Sequence, residues 1–161
     1  MTLKILVLSD THWYDVSQIP YFLENNLKNY DAVIHAGDFV SHSVVELLAA
    51  HTNLFAVMGN CDEYSARRFL PEKKMFTLGG VNIGLIHGTR KNFSYIYELH
   101  AIFEGADLVI FGHSHIPSSE KIADTVFFNP GSFTHPRDGN APSAGVLEIN
   151  DSAFSVEHIF F

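Results

Sequence analysis

The stretch that decides the fold is residues 3–12, LKILVLSDTH, an apolar run that ends in a polar turn. From Leu3 to Leu8 the run is almost unbroken, as expected of a strand that is buried on both faces of a sheet. The turn places a carboxylate, Asp10, and an imidazole, His12, directly after the strand. Strands of this kind occur mainly in α/β proteins, and polar residues at their carboxyl ends are candidates for a functional site.

Four later apolar segments end in a polar cluster of the same kind. The clusters are Gly37-Asp38, Gly59-Asn60-Cys61-Asp62, His87-Gly88 and Gly112-His113-Ser114-His115. Because ligands in open α/β sheets lie beyond the carboxyl ends of the strands, we expect these clusters to converge although they are far apart in sequence. The repetition, rather than any one cluster, predicts a single site.

Helices are predicted between the first strands, and strands near the end of the chain. Ser17 can cap a first helix, and Ser43 with Glu46 forms a capping box for a second. Apolar residues at helical spacing predict another helix over 94–103. The alternating patterns over 125–128, 144–149 and 154–161 predict strands of an antiparallel sheet.

Composition and charge narrow the class of protein. The chain has 161 residues, 47% of them hydrophobic, which predicts a single domain over 1–161. The opening apolar run is too short to cross a membrane, and the single cysteine, Cys61, fits a reducing compartment, so we expect a soluble cytoplasmic protein. A formal charge of -8 makes nucleic acid an unlikely partner, because phosphate backbones require a basic face.

The side chains in the five clusters suit metal ions. They combine carboxylate, amide oxygen and imidazole, a mixture that favours Mn²⁺, Fe, Ni²⁺ or Zn²⁺ over Ca²⁺. In the pairs Asp10-x-His12 and His113-x-His115, residues two apart point to the same side of an extended segment. The sequence has no nucleophile elbow, P-loop or dinucleotide fingerprint, so no protein nucleophile is expected.

Together, the five clusters resemble those of the calcineurin-like metallophosphoesterase superfamily, in particular its small branch of YfcE-type phosphodiesterases. The resemblance extends over most of the chain and implies a four-layer α/β/β/α sandwich of two mixed sheets flanked by helices. It also implies a phosphodiesterase that attacks small phosphodiesters with a bridging hydroxide at two divalent metal ions about 3.5 to 4 Å apart. Mn²⁺ is the first choice of metal, with Ni, Zn and Fe as alternatives. Relatives often self-associate, which leaves a homo-oligomer open.

Carried over residue by residue, the resemblance implies two ligand sets that share one carboxylate. The first metal would be held by Asp10, His12, Asp38 and His115. The second would be held by Asp38, Asn60, His87 and His113. The segment 129–132 resembles a family segment near the site. The candidate substrate-binding residues are Asn60, whose amide can donate to a phosphoryl oxygen, and Arg137, whose guanidinium can grip a phosphate bidentately.

Residue 61 departs from the family pattern, because many relatives have a histidine there that protonates the leaving oxygen. A thiol has a pKa of about 8.5 and is a poor substitute, so Cys61 predicts a preference for good leaving groups. Asp62 is a candidate proton source, and with Asn60 it completes the predicted catalytic residues. The alternative is a catalytically weak scaffold resembling the retromer metallophosphoesterase-like subunit. That subunit lacks the histidine corresponding to His12, which is present here.

Overall fold

The computed structural model describes residues 2–88 and 94–161. In this part of the chain ten strands form two sheets. The strands are β1 (Thr2–Leu8), β2 (Ala32–His35), β3 (Asn53–Ala56), β4 (Lys73–Leu78), β5 (Val81–Ile86), β6 (Leu108–Ile110), β7 (Ser118–Ile122), β8 (Thr125–Asn129), β9 (Ser143–Asn150) and β10 (Ala153–Phe160). The α-helices are α1 (Tyr21–Asn26), α2 (His42–His51), α3 (Tyr64–Arg67) and α4 (Ser94–Ile102). None of these helices is long and apolar enough to span a membrane.

Both sheets are mixed. The first has the order β10-β9-β1-β2-β3, in which β1, β2 and β3 run parallel and β9 and β10 are antiparallel to their neighbours. The second has the order β4-β5-β6-β8-β7, in which β5, β6 and β8 run parallel. The carboxyl ends of the parallel strands carry the five polar clusters, as the sequence predicts.

Strand β1 shows how the layers are separated. Leu6 and Leu8 belong to an apolar cluster with residues of α1 and α2, on the outer face of the first sheet. Ile5 and Val7 point the other way, into a core shared with the second sheet. Helix α4 packs on the opposite face of the second sheet. The predicted four-layer sandwich is therefore confirmed, and burial on both faces explains the unbroken apolar run of β1.

The C-terminal region differs from the single antiparallel sheet predicted for it. Strand β8 enters the second sheet, parallel to β6, whereas β9 and β10 complete the first sheet beside β1. The alternating pattern predicts that these segments are strands but carries no information on which sheet each one joins. The edge strand β7 was not predicted, because its sequence, SSEKI, is mostly polar.

The first two helices also start differently from the prediction. An Asp15 capping box with Gln18 starts a short 3-10 turn over Val16–Gln18, and α1 follows after Pro20. Helix α2 is capped by Ser41, whose hydroxyl accepts from the N–H of Ser43 at 3.3 Å. A capping serine two residues earlier adds two residues, His42 and Ser43, to the start of the helix, after the turn that contains Asp38.

His35, at the end of β2, is a fully buried histidine. The N–H of Gly37 donates to its Nδ1 at 3.1 Å, so the ring proton resides on Nε2, which donates to the hydroxyl of Thr11 at 3.1 Å. Phe39 stacks on the ring with a centroid distance of 3.5 Å. Burial lowers the pKa of His35 to about 3, so the folded protein keeps it neutral.

Because His35 is buried and neutral, we expect the metal-free protein to lose stability as the pH falls. Below about pH 6.5, the ordinary pKa of histidine, the unfolded chain binds a proton at His35 and the folded chain does not. The free energy of unfolding therefore falls by about 1.4 kcal/mol for each pH unit. Urea unfolding of the wild type and of His35→Asn, in chelator between about pH 7 and pH 5, should show a shallower pH slope for the variant. The exposed His51→Asn is the control, and an unchanged slope in His35→Asn would contradict the prediction.

Candidate metal centre

Five of the predicted ligand residues adopt left-handed backbone conformations. The φ angles are 52° at Asp10, 47° at His12, 59° at Asp38, 68° at His113 and 61° at His115. Among residues with a side chain, Asp, Asn and His tolerate this region best. Backbone strain of this kind concentrates at functional sites, where the surrounding structure holds it in place.

The first group consists of Asp10, His12 and His115. Nε2 of His115 lies 3.2 Å from Oδ1 of Asp10 and 3.3 Å from Nε2 of His12. Asp10 and His115 are buried and His12 is half-buried. One potential ligand atom from each of the three lies within 4.8 Å of the other two, so they can bind one ion together.

The second group contains the remaining predicted ligands. Nε2 of His87 lies 3.4 Å from Oδ2 of Asp38 and 3.1 Å from Oδ1 of Asn60. Nδ1 of His113 lies 2.9 Å from the same oxygen of Asn60. Nε2 of His12 lies 3.7 Å from Oδ2 of Asp38, which places that oxygen between the two groups. All seven predicted side chains therefore meet in one cluster.

Hydrogen bonds behind the cluster orient its histidines. Nδ1 of His87 donates to the carbonyl of Ala36 at 2.7 Å, and Nδ1 of His115 donates to the carbonyl of His135 at 2.6 Å. Each ring therefore keeps a proton on Nδ1, and in its neutral form it turns the Nε2 lone pair toward the cluster. This is the tautomer that a metal ligand requires.

The two carboxylates are held in the same way. Oδ2 of Asp10 accepts from the hydroxyl of Ser9 at 2.6 Å and from the N–H of His113 at 2.9 Å. Oδ1 of Asp38 accepts from the N–H of Cys61 at 2.7 Å. One oxygen of each carboxylate is thus engaged by protein donors, and the other faces the imidazoles.

Oδ1 of Asp10 is the atom that most directly indicates a cation. Asp10 is fully buried, and within residues 2–88 and 94–161 this oxygen has no hydrogen-bond donor. A buried carboxylate oxygen without a donor is costly unless a positive charge compensates it. Carboxylate and imidazole donors turned toward one point fit divalent transition ions.

The charges of the cluster also indicate a site that binds cations. Burial alone would raise the pKa of Asp38, but hydrogen bonding and charge interaction with His87 outweigh it, and the pKa lies well below its ordinary value. The pKa of Asp10 is also lowered, because His115, His87 and Ser9 together outweigh its burial. Both carboxylates are therefore ionised at neutral pH and attract cations.

Asp62 is placed beside the cluster but faces the main chain. Its Oδ1 accepts from the N–H of Val40 at 2.7 Å, and its Oδ2 accepts from the N–H groups of Gly59 at 2.7 Å and Asp38 at 3.2 Å. Val40 has a φ of 82°, a strained value for a β-branched residue. This arrangement favours a positioning role for Asp62, holding the turns of Asp38 and Asn60 together, over the predicted role of proton source.

Arg67 is a contributor to the site that sequence reasoning missed. Its Nε donates to the carbonyl of Asp62 at 2.8 Å, and its Nη2 donates to the carbonyl of Asn60. Arg67 extends from α3, and no motif marks it, because the contact depends on how the helix follows the turn. By contrast, the predicted Arg137 has an exposed side chain, and its N–H donates to the carbonyl of His115 at 3.4 Å.

Two features border the cluster. The predicted segment 129–132 supports it, since Nδ2 of Asn129 donates to the carbonyl of Gly112 at 3.0 Å and the hydroxyl of Ser132 donates to the carbonyl of Asp10 at 2.6 Å. On the other side a cleft of about 450 Å³ opens beside these side chains. Its lining includes Asn60, Arg67, His87, Tyr95 and Glu98.

Comparisons with known proteins identify a matching family and similar sequences. Residues 3–152 match the family described as the calcineurin-like phosphoesterase superfamily domain. A probable metallophosphoesterase of Methanocaldococcus jannaschii is 33% identical over 153 residues, covering 92% of this chain and 76% of the relative. A phosphodiesterase of the same archaeon is 29% identical over 166 residues, covering 94% of this chain and 96% of the relative.

A solved structure shows the same fold. The crystal structure of wild-type Vps29 from Entamoeba histolytica, complexed with Zn²⁺, superposes with a TM-score of 0.77. The superposition covers 98% of this chain and 99% of the Vps29 chain, and the two sequences are 24% identical. The likeness establishes a shared architecture.

Proposed function

The chain belongs to the calcineurin-like phosphoesterase superfamily, and from that membership we propose that it is a metal-dependent phosphodiesterase acting on small phosphodiesters. The observation that carries the proposal is the convergence of seven ligand-type side chains from five separate parts of the chain, with Oδ2 of Asp38 between the two groups. A phosphodiesterase among the relatives supports the choice of a diester.

The ligand sets follow the two groups of side chains. We assign one cation to Asp10, His12, Asp38 and His115. We assign the other to Asp38, Asn60, His87 and His113. When bound, two divalent ions supply Lewis acidity to the phosphate and make a water molecule nucleophilic near neutral pH. Mn²⁺ is the ion that we propose first, with Ni, Zn and Fe as alternatives, because the donors are mixed oxygen and nitrogen.

The protein's own groups bind and orient the diester. Asn60 is exposed and its Nδ2 donates to Sγ of Cys61 at 3.1 Å, so this amide lies on the open side, where it can donate to a phosphoryl oxygen. Arg137 is exposed near His115 and is the proposed second phosphate contact. The cleft beside His87 would accommodate one arm of the ester.

The leaving group is where this chain departs from many relatives. Partial desolvation raises the pKa of the Cys61 thiol to about 11, with the charge of Asp38 adding to the shift, so the thiol is a weak proton donor near pH 7. Both oxygens of Asp62 are occupied by main-chain N–H groups. We therefore propose a preference for aryl and other good leaving groups, which depart without a proton.

A scaffold without catalysis is the alternative function. The fold is shared with Vps29, and this chain could use it in the same way as the retromer subunit that the sequence resembles. The intact seven-residue cluster, with His12 in place, supports the enzyme instead. We keep the cytoplasm as the proposed location, because a single cysteine suits a reducing compartment.

A metal reconstitution assay tests the proposal. Metal-stripped protein should be inactive on an aryl phosphodiester, and at least one of Mn²⁺, Ni²⁺, Zn²⁺ and Mg²⁺, each added singly, should restore activity. The gain should exceed about 100-fold, because the ions supply several kcal/mol of transition-state stabilisation. An aryl diester should be cleaved faster than an alkyl diester or an aryl monoester.

Matched histidine variants provide the control for this assay. His12→Asn should lose the metal-dependent activity, whereas His51→Asn, on an exposed helix end, should retain it. Inactivity of the wild type with every cation would reject the enzyme and favour the scaffold.

A further inference from the structure

The thiol of Cys61 faces the metal cluster, and the ligand sets assigned above leave it unused. One ligand atom from each of His12, Asp38 and Cys61 lies within 4.8 Å of the other two. The thiol is on the exposed side of the cluster. The N–H of Cys61 donates to Oδ1 of Asp38 at 2.7 Å, so the main chain of Cys61 is held against the carboxylate.

Thiolate, imidazole and carboxylate together make a donor set different from that of the other two groups. Sulfur ligands favour Zn²⁺ and Cd²⁺, whereas Mn²⁺ and Mg²⁺ favour oxygen. Three protein ligands with one open position are also the usual arrangement around a four-coordinate Zn²⁺ ion. A mixed site of this kind therefore distinguishes soft from hard cations.

A second observation indicates that positive charge is needed at this position. His12 is shared with the group that contains Asp10, whose buried Oδ1 has no hydrogen-bond donor within residues 2–88 and 94–161. Asp38 contributes a second carboxylate, and its Oδ2 faces His12 at 3.7 Å. The carboxylate of Asp38 thus belongs to the same group as the thiol, and its negative charge would stabilise a cation bound there.

We propose that His12, Asp38 and Cys61 form a soft-metal site that captures Zn²⁺ or Cd²⁺ and thereby inhibits the enzyme. When Sγ binds the cation, the thiol proton is released to solvent and the metal–sulfur bond replaces the S–H bond. The captured ion takes His12 and Asp38 away from the centre that holds the catalytic ions. The inhibitory consequence rests on the proposed phosphodiesterase function, whereas binding of the ion through sulfur does not.

Spectroscopy with Co²⁺ tests the site without reference to activity. Titration of metal-free protein with Co²⁺ should produce the visible ligand-field bands of bound cobalt and a near-ultraviolet sulfur-to-cobalt charge-transfer band. Cys61 is the only cysteine, so this band can arise only from that residue. Cys61→Ser should lose the charge-transfer band and keep ligand-field bands, and His12→Asn should weaken the charge-transfer band.

Inhibition of the Mn²⁺-loaded protein supplies the second measurement. In the wild type, Zn²⁺ and Cd²⁺ should inhibit cleavage of the aryl diester. In Cys61→Ser, the concentration needed for inhibition should be at least about tenfold higher, because the inhibitory ion loses one ligand bond. Ligand-field bands without a charge-transfer band in the wild type would overturn the soft-metal site and leave the metal centre standing. Absence of any cobalt spectrum would overturn both.

Discussion

Replacement of Asp38 by Asn is expected to abolish the proposed phosphodiesterase activity, with a loss of about 1000-fold or more, because Asp38 would help to hold both ions of the proposed centre. Oδ2 of Asp38 lies 3.4 Å from Nε2 of His87 and 3.7 Å from Nε2 of His12, so one carboxylate serves both groups. An amide in its place keeps the shape and removes the negative charge. The measurement is the initial rate on an aryl diester at saturating Mn²⁺, together with metal content after dialysis.

The control for this variant is Asp124→Asn, an exposed aspartate in the turn between β7 and β8. It makes the same change of charge away from the cluster and should keep wild-type activity. Circular dichroism of Asp38→Asn should match that of the wild type, since Oδ1 still accepts from the N–H of Cys61. Retention of both metals and of more than about a tenth of the activity would refute the bridging role.

Among the substitutions proposed for this protein, replacement of Asp62 by Ala should lower the free energy of unfolding the most. Three buried main-chain N–H groups, those of Val40, Gly59 and Asp38, would lose their acceptor. An unsatisfied buried donor costs about 1 to 3 kcal/mol, so we expect a total of about 3 to 5 kcal/mol after relaxation. Urea unfolding in chelator measures this loss free of metal binding, and Asp124→Ala is the matched control.

The milder variant Asp62→Asn separates positioning from proton donation. A positioning residue affects every substrate, so the rates on good and poor leaving groups should fall by the same factor. A proton donor would slow only the poor leaving groups, because good ones depart without protonation. A selective effect on alkyl diesters would restore Asp62 as the proton source, and a change of less than about 1 kcal/mol in Asp62→Ala would remove the structural role.

The layered fold could be predicted because its signals are local or repeated. The run from Leu3 to Leu8 indicates a strand buried on both faces, and the structure places its alternate residues in two different cores. The recurrence of polar clusters after apolar strands identified the side chains that the structure gathers. Both signals depend on residue type and spacing, which a sequence displays directly.

Other features could not be predicted, because they depend on contacts distant in sequence. The pattern of β8 is the same whichever sheet it joins, and its position beside β6 is decided by packing. The contact of Arg67 with the carbonyls of Asn60 and Asp62 depends on the direction in which α3 leaves the turn. The three main-chain hydrogen bonds accepted by Asp62 also emerged only with the structure, because no motif in the sequence marks them.

The left-handed backbone at five of the proposed ligand positions restricts how the proposed centre could change its metal. Asp and His serve there both as donors and as residues that tolerate such φ angles. Exchanging one of them for a β-branched or bulkier side chain would add a conformational cost of about 1 to 3 kcal/mol to any loss of coordination. Of the described residues at the cluster, Asn60, Cys61 and His87 are free of that restriction. Substitutions that adapt the site to a different ion would therefore be concentrated at these three positions.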